Sequence, residues 1–545
     1  MKNKISQILT LLSNGNIDQG LGQAKDLYKT NPHNIDVIKL LVYAYILVGN
    51  FEKVVLVLEQ SLRLKKNIEQ DFDYNNNLGY ALVQTEEYER AIFYLGKALE
   101  IRNDFPGVYA NIAMVYQKRR DFVTSKKYID DAIKLVMSLG KNEYTKHSNI
   151  FLSFSEINSA LKKDDETIKF FLEILEHSFN ENIFYILSNI RSDALTAKLI
   201  EEAQKKIETN IHFQNKIDRF NFVTPIYFGL ANYYQKKDKN KSETNYIKGN
   251  SEIFKSSRYN SHDYQQKIIK SIDSYQNTYS SIDESDDMAG KNNIFIVGSP
   301  RSGTTLIESI ITANTKVFSA GEMNSSKNMI DRHINSASKG FYEFKYSYQA
   351  KYLARTNFLR GDYTYVVDKM PENFLFIGQM LKLLPQSKII LILRDPWDTA
   401  ISLFKQRYIL NVPYSTSFFN IGVFLANFEA IIVFWIKIIR DQSHFMTIKY
   451  EEVVSDQKQS LKKLYEFLDI QIEDFDEDKR KAFFSPTASI RQVTGNIHQN
   501  STKKDEFAEY KKEFYDSLIM QKKFWASKGI LSKTDDFFGY LVDIT

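Results

Sequence analysis

In the first half of the chain, apolar and small residues fall at helical spacing, and the pattern returns. Leu78, Gly79, Leu82, Ala91, Leu95 and Ala98 reappear as Ile112, Ala113, Tyr116, Ser125, Ile129 and Ala132, each 34 residues later (112 − 78, 132 − 98). An earlier copy, LVYAY then GNFEKVVLVLEQSL, ends at Leu62, 37 residues before Leu99, so its connection carries three more residues. A still earlier piece starts at Gly15, 34 before Gly49. Small residues at fixed helical positions let paired helices approach closely. One such pair cannot bury its own apolar face, so the copies stack. Beyond about Leu135 the pattern decays but stays helical, and Pro225–Phe254 reads as one more degenerate copy. A polar stretch, SSIDESDDMAGKNN (Ser280–Asn293), reads as a linker.

The second half alternates short apolar runs with helical patterns. NIFIVG (Asn293–Gly298), YTYVVD (Tyr363–Asp368) and SKIILILRD (Ser387–Asp395) are strand-like, and helical segments lie between and after them. That alternation predicts a parallel sheet flanked by helices. The most apolar window, Ile421–Ile439, contains Asn427, Glu429 and Lys437, which favours a buried helix over a membrane span. The N-terminal MKNKISQILTLLSNGNIDQG lacks a small-residue cleavage site and is read as a first helix. The helical arm is assigned to residues 1–285 and the α/β domain to 286–545.

Composition narrows the chemistry. The 545 residues are 43% hydrophobic, 26% charged and 14% aromatic, which is globular rather than disordered composition. There is no cysteine, so disulfides, thiolate zinc sites and cysteine nucleophiles are excluded. This agrees with a reducing cytoplasm, where the protein is expected. The +5 formal charge, from 72 basic and 67 acidic residues, is too balanced to argue for nucleic acid. The eight histidines are scattered without metal-ligand spacing, and no metal is expected.

The stretch richest in chemistry is IFIVGSPRSGTTLIESI (Ile294–Ile310). A strand enters a tight turn, and a helix leaves it at Thr304–Thr305. Backbone N–H groups at such a helix start, with the helix dipole, cradle a phosphate. Against the nucleotide-triphosphatase loop G-x-x-x-x-G-K-[ST], Gly298, Gly303 and Thr305 fit, but Thr304 stands where the lysine should. Further on, Arg394 ends an apolar run and Ser402 follows eight residues later. A guanidinium there grips a phosphate through two bonds, and the hydroxyl adds a donor.

The 34-residue period resembles tetratricopeptide (TPR) repeats. The strand–PRSGTT–helix stretch and the Arg394/Ser402 pair resemble sulfotransferases that use 3′-phosphoadenosine-5′-phosphosulfate (PAPS). VVDKMPENFLFIGQMLKLLP (Val366–Pro385) resembles the connecting segment of TPR-containing bacterial sulfotransferases and of tyrosylprotein sulfotransferases. The implied fold is an α-solenoid of TPR helix pairs followed by an α/β P-loop-like domain. The resemblance implies that Arg301, Ser302, Gly303, Thr304 and Thr305 hold the 5′-phosphosulfate, and that Arg394 and Ser402 hold the 3′-phosphate. It places Lys369, in VVDKMPENF, near the transferring sulfonate, and Tyr450, in TIKYEEVV, against the nucleotide. Glu322, in SAGEMN, lies 21 residues beyond Arg301 and matches the general base. With Lys369 and Arg301 it forms the expected catalytic set. Gln492, Val493 and Ser501 match a late loop that closes over PAPS. Thr494, Gly495 and Asn496 depart from that loop, and Lys503 or Lys504 is expected to supply its missing charge.

The resemblance therefore implies sulfonate transfer from PAPS to a hydroxyl acceptor, such as a protein tyrosine or a sugar. The TPR arm is expected to bind a protein or peptide on its concave surface, or to mediate a homodimer. Two alternatives stay open here. In one the chain is an ATP-dependent kinase using Asp368 or Asp395 for Mg²⁺. In the other it is a scaffold with an inactive domain.

Overall fold

A computed structural model describes residues 1–64, 68–209, 216–256, 259–282, 287–336, 340–408, 412–439, 443–481, 483 and 506–532. The chain divides into two compact units, Met1–Phe222 and Val223–Thr545.

The first unit is a solenoid of helix pairs. Ile35–Leu47 pairs with Phe51–Leu64, Phe72–Gln84 with Tyr88–Ile101, and Pro106–Lys118 with Phe122–Leu139. The repeated small residues lie where helices touch: Ala91, Ala98, Ala113 and Ala132 are fully buried. A Cβ on Gly79 would come within 2.6 Å of Leu95 Cγ. The turn inside each pair needs one residue in the left-handed region. These are Gly15, Gly49, Glu86 and Arg120, spaced 34, 37 and 34, the offsets of the sequence repeat. Lys162, also left-handed, serves the next pair, Ser148–Ala160 with Asp164–His177.

The boundary expected at 285 lies at 222/223 instead. The helices expected to end the arm, Lys239–Ser256 and Ser261–Ser274, are packed into the second unit. Asn250 Nδ2 donates to Phe404 O at 2.7 Å, and Gln379 Nε2 donates to Ser271 O at 2.8 Å. The last helices kept the repeat's local pairing, with Ser242 Oγ bonded to Ala231 O as Ser125 Oγ is to Ala113 O. Tyr246, Ile253, Tyr264, Ile268 and Ile272 on these two helices are buried.

That domain is built on five parallel strands, β1 (Asn293–Gly298), β2 (Val317–Gly321), β3 (Tyr365–Asp368), β4 (Lys388–Leu393) and β5 (Phe445–Lys449), in the order β2-β3-β1-β4-β5. β1 is central and buried along its whole length. Ile294 and Ile296 join Ile307, Ile311, Ile448 and Leu464 in one core, while Phe295 stacks on Tyr352. The order turns back on either side of β1, and such a switch point opens a crevice at the strands' C-terminal ends.

The apolar window folds as the helix Phe418–Ile438, most of it buried, against the helix Lys511–Ser527. It is long and apolar enough to cross a membrane, yet its polar residues have partners within the unit. Asn427 Oδ1 accepts from Gln521 Nε2 and Trp525 Nε1, and Glu429 pairs with Lys522 at 2.8 Å.

Candidate active site

Every strand delivers a candidate residue at its C-terminal end. β1 runs into the Ser299–Gly303 loop, β2 into Glu322, β3 into Lys369, β4 into Arg394 and β5 into Tyr450. Strands paired in parallel all point the same way, so their exits share one rim.

The loop after β1 is tight. Arg301 has φ 70° and Gly303 φ 102°. A Cβ on Gly303 would come within 2.4 Å of Tyr450 Cδ2, so only glycine lets the Tyr450 ring lie there. The helix Thr304–Ile311 starts at this glycine, and no side chain caps it. Its first N–H groups thus face the crevice, with the positive end of the helix dipole behind them.

Arg301 is buried, and its Nε donates to Ser402 Oγ at 2.9 Å. Burial pushes the Arg301 pKa down; the neighbouring Arg394 charge adds to this, and Tyr408 and Tyr450 oppose it. Arg394 Nη1 donates to Arg301 O at 3.0 Å, and its guanidinium lies 4.4 Å from the Tyr450 ring centroid. Two buried polar atoms here, Ser302 Oγ and Arg394 Nε, have no hydrogen-bond partner among the described residues. A phosphate oxygen is the acceptor both lack, so these residues fit an anionic nucleotide.

The other half of the rim holds an ion pair. The Lys369 N–H donates to Gly321 O at 2.8 Å, and its buried ammonium bonds Glu322 Oε1. Glu322 itself is 42% exposed, and the next residue, Met323, is buried. Glu322, the base expected from the sequence, therefore has a solvent-accessible carboxylate. The structure thus brings together Arg301, Ser402, Arg394, Gly303 and Tyr450 as one group, and Lys369 with Glu322 as another. Thr304 and Thr305 lie buried at the start of the intervening helix. Ser501, Gln492, Val493, Lys503 and Lys504 lie outside the described residues.

Sequence reasoning missed two residues. Glu308, on the helix Thr304–Ile311, is fully buried and reaches Lys369; its signal was a single acid in the apolar stretch TTLIESII. Ser319, on the overlooked strand β2, bonds Glu308. The aspartates considered for Mg²⁺ have other work. Asp368 accepts from Tyr352 Oη and Met323 N, and Asp395 caps the helix Pro396–Phe404 through Asp398 N. Among the described residues no group of three or more His, Asp or Glu is placed to hold a metal.

Residues 293–474 match the model of the sulfotransferase family. The second unit carries a sulfotransferase family domain. Residues 72–105 match a tetratricopeptide repeat, so the first unit is a TPR solenoid. An uncharacterized protein of Aquifex aeolicus is 27% identical over 235 residues, 39% of this chain; the chain spans about 30% of that relative's length. Among solved structures, the sulfotransferase domain from the curacin biosynthetic pathway is 16% identical, covering 45% of this chain and 98% of its own, with TM-score 0.30. A mouse sulfotransferase complexed with PAP is 17% identical, covering 48% and 92%, also with TM-score 0.30. A TPR protein of Thermus thermophilus is 15% identical, covering 32% and 91%, with TM-score 0.28.

Proposed function

We propose that the sulfotransferase domain transfers a sulfonate from PAPS to a hydroxyl acceptor, a protein tyrosine or a sugar. The observation carrying this reading is the group of Arg301, Ser402, Arg394 and Tyr450 beside an uncapped helix start. When bound, PAPS supplies the activated sulfonate, whose sulfur forms a bond to the acceptor oxygen as its bond to the bridging phosphate oxygen breaks.

The chain's own residues divide the remaining work. Arg394, Ser402 and the Tyr450 ring hold the nucleotide end, since a 3′-phosphate needs a dedicated cation and ATP has none to offer it. Arg301, Ser302 and the N–H groups of Thr304 and Thr305 hold the 5′ end. Glu322 takes the proton from the acceptor hydroxyl. Lys369 places its ammonium where negative charge grows on the sulfonate and bridging oxygens. Sulfonate carries less charge than a phosphoryl group, so positioning and these cations suffice and no metal is needed. The kinase reading is weaker, because Thr304 replaces the lysine and both candidate aspartates have structural partners.

The TPR solenoid is proposed to bind a protein or peptide and so select the acceptor, and the protein to act in the cytoplasm; fractionation tests the second point. A chain starting at Lys216 keeps the helices that pack into the second unit. It should bind adenosine 3′,5′-bisphosphate normally and lose acceptor preference; unchanged preference and oligomeric state refute the role of the arm. The deciding experiment is thermal stability with adenosine 3′,5′-bisphosphate against ATP plus Mg²⁺. A ligand at about 100 times its dissociation constant stabilises its domain by about 2.7 kcal/mol. Stabilisation by the bisphosphate alone, lost in Arg394→Ala, is expected. Stabilisation by ATP and Mg²⁺ supports the kinase, and none by either supports a scaffold.

A further inference from the structure

Glu308 is the one acid on the helix that leaves the nucleotide loop, and it is wholly buried. Ser319 Oγ on β2 donates to its Oε1, and the Gly321 N–H bonds that same Ser319 oxygen at 3.3 Å. Its Oε2 lies 3.9 Å from Lys369 Nζ, and both side chains are at most 1% exposed. Lys369 in turn bonds Glu322 with its ammonium and Gly321 O with its backbone N–H. The five residues close a ring joining the loop helix, β2 and β3 to the exposed base.

Burying a carboxylate this deeply is costly unless charged and hydrogen-bonding partners compensate it. Packing alone would be served better by an apolar residue of the same size. What Glu308 adds is a second anionic partner for Lys369, buried where Glu322 is exposed. Glu322 becomes neutral once it takes the acceptor's proton, and Lys369 then loses one of its two counter-charges. Glu308 remains.

We propose that Glu308 is a positioning residue that anchors the Lys369 ammonium at the strand ends, leaving Glu322 free to turn toward the acceptor. This inference rests on the roles given above to Lys369 and Glu322. With Glu308 neutralised, Glu322 is the single carboxylate among the described residues paired with Lys369, and the two lock together.

Glu308→Gln keeps the size and the Ser319 contact and removes only the charge. Its kcat with PAPS is expected to fall about tenfold or more, with the Kd for adenosine 3′,5′-bisphosphate and the acceptor KM changed less than about twofold. In a Lys369→Met background the same change should cause no further loss, because Glu308 acts through the lysine. Ser319→Ala, which removes the hydrogen bond to Glu308 together with the weaker one from the Gly321 N–H, should show a smaller loss of the same kind and decides the matter if Glu308→Gln does not fold. An unchanged kcat, a parallel loss of nucleotide affinity, or losses that multiply in the double variant overturn the inference. A wild-type chain that transfers no sulfonate from PAPS overturns the functional reading first and this inference with it.

Discussion

Lys522→Met tests the energetics of the second unit at its most exposed assumption, a charge pair inside an apolar core. Glu429 is 1% exposed in the middle of the helix Phe418–Ile438, and Lys522, 3% exposed, supplies its counter-charge from the helix Lys511–Ser527. Removing one partner of a buried pair strands the other charge and costs about 3–5 kcal/mol. Replacing both by well-packed apolar residues is often neutral or stabilising by about 1–4 kcal/mol. Lys522→Met should therefore destabilise by about 3–5 kcal/mol, and Glu429→Met with Lys522→Met should recover most of that loss. The assay is urea unfolding followed by tryptophan fluorescence. All three tryptophans, Trp397, Trp435 and Trp525, lie in the second unit, so the signal reports that unit alone. Trp525 Nε1 donates to Asn427 Oδ1 at 2.7 Å, one turn from the altered pair, which makes its emission sensitive to the same interface. A single variant within about 1 kcal/mol of wild type would refute the reasoning, because that is the range of a solvated pair.

Three further predictions follow from local geometry. Gly303→Ala should weaken adenosine 3′,5′-bisphosphate binding at least tenfold: the left-handed backbone costs about 1–2 kcal/mol, and the added methyl displaces Tyr450. Calorimetric titration checks this, and wild-type affinity would remove Tyr450 from the site. Lys162→Gly should stabilise the solenoid by about 0.5–1 kcal/mol, since an exposed lysine holds a left-handed turn that glycine adopts without strain; amide exchange in Ser148–Ala160 should slow. Burial raises the Glu156 carboxyl to about 7, against a hydrogen bond from Gln117 that lowers it. Its native form holds the proton more tightly than the unfolded chain, so this contribution is full below about pH 4.5 and is lost as pH rises through about 7. Glu156→Gln should therefore slow amide exchange in that helix at pH 8 and leave it unchanged at pH 4.

Much of this was written in short-range pattern. The repeat offsets of 34 and 37 reappear as the spacing of Gly15, Gly49, Glu86 and Arg120 at the pair turns, because one helix pair is a local unit and its close contacts demand small residues at set positions. β1, β3 and β4 were legible as apolar runs, since a strand buried on both faces admits little else. The PRSGTT loop was legible because a strand–turn–helix that presents backbone N–H groups needs particular residues within a few positions, whereas Glu322 was reached only through the family resemblance.

Tertiary structure decided the rest. β2 escaped notice because VFSAG is short and three of its five residues are small, and it is a strand only through pairing with β3. The boundary moved from 285 to 222 because the helices of 223–282 choose their unit by what covers their apolar faces, which no local period records. Arg301 and Ser402, 101 residues apart, bond only because β1 and β4 are neighbours. Glu308 read as one more helix residue until the fold set Lys369 against it, for a buried charge acquires meaning only from the partner that the chain brings to it.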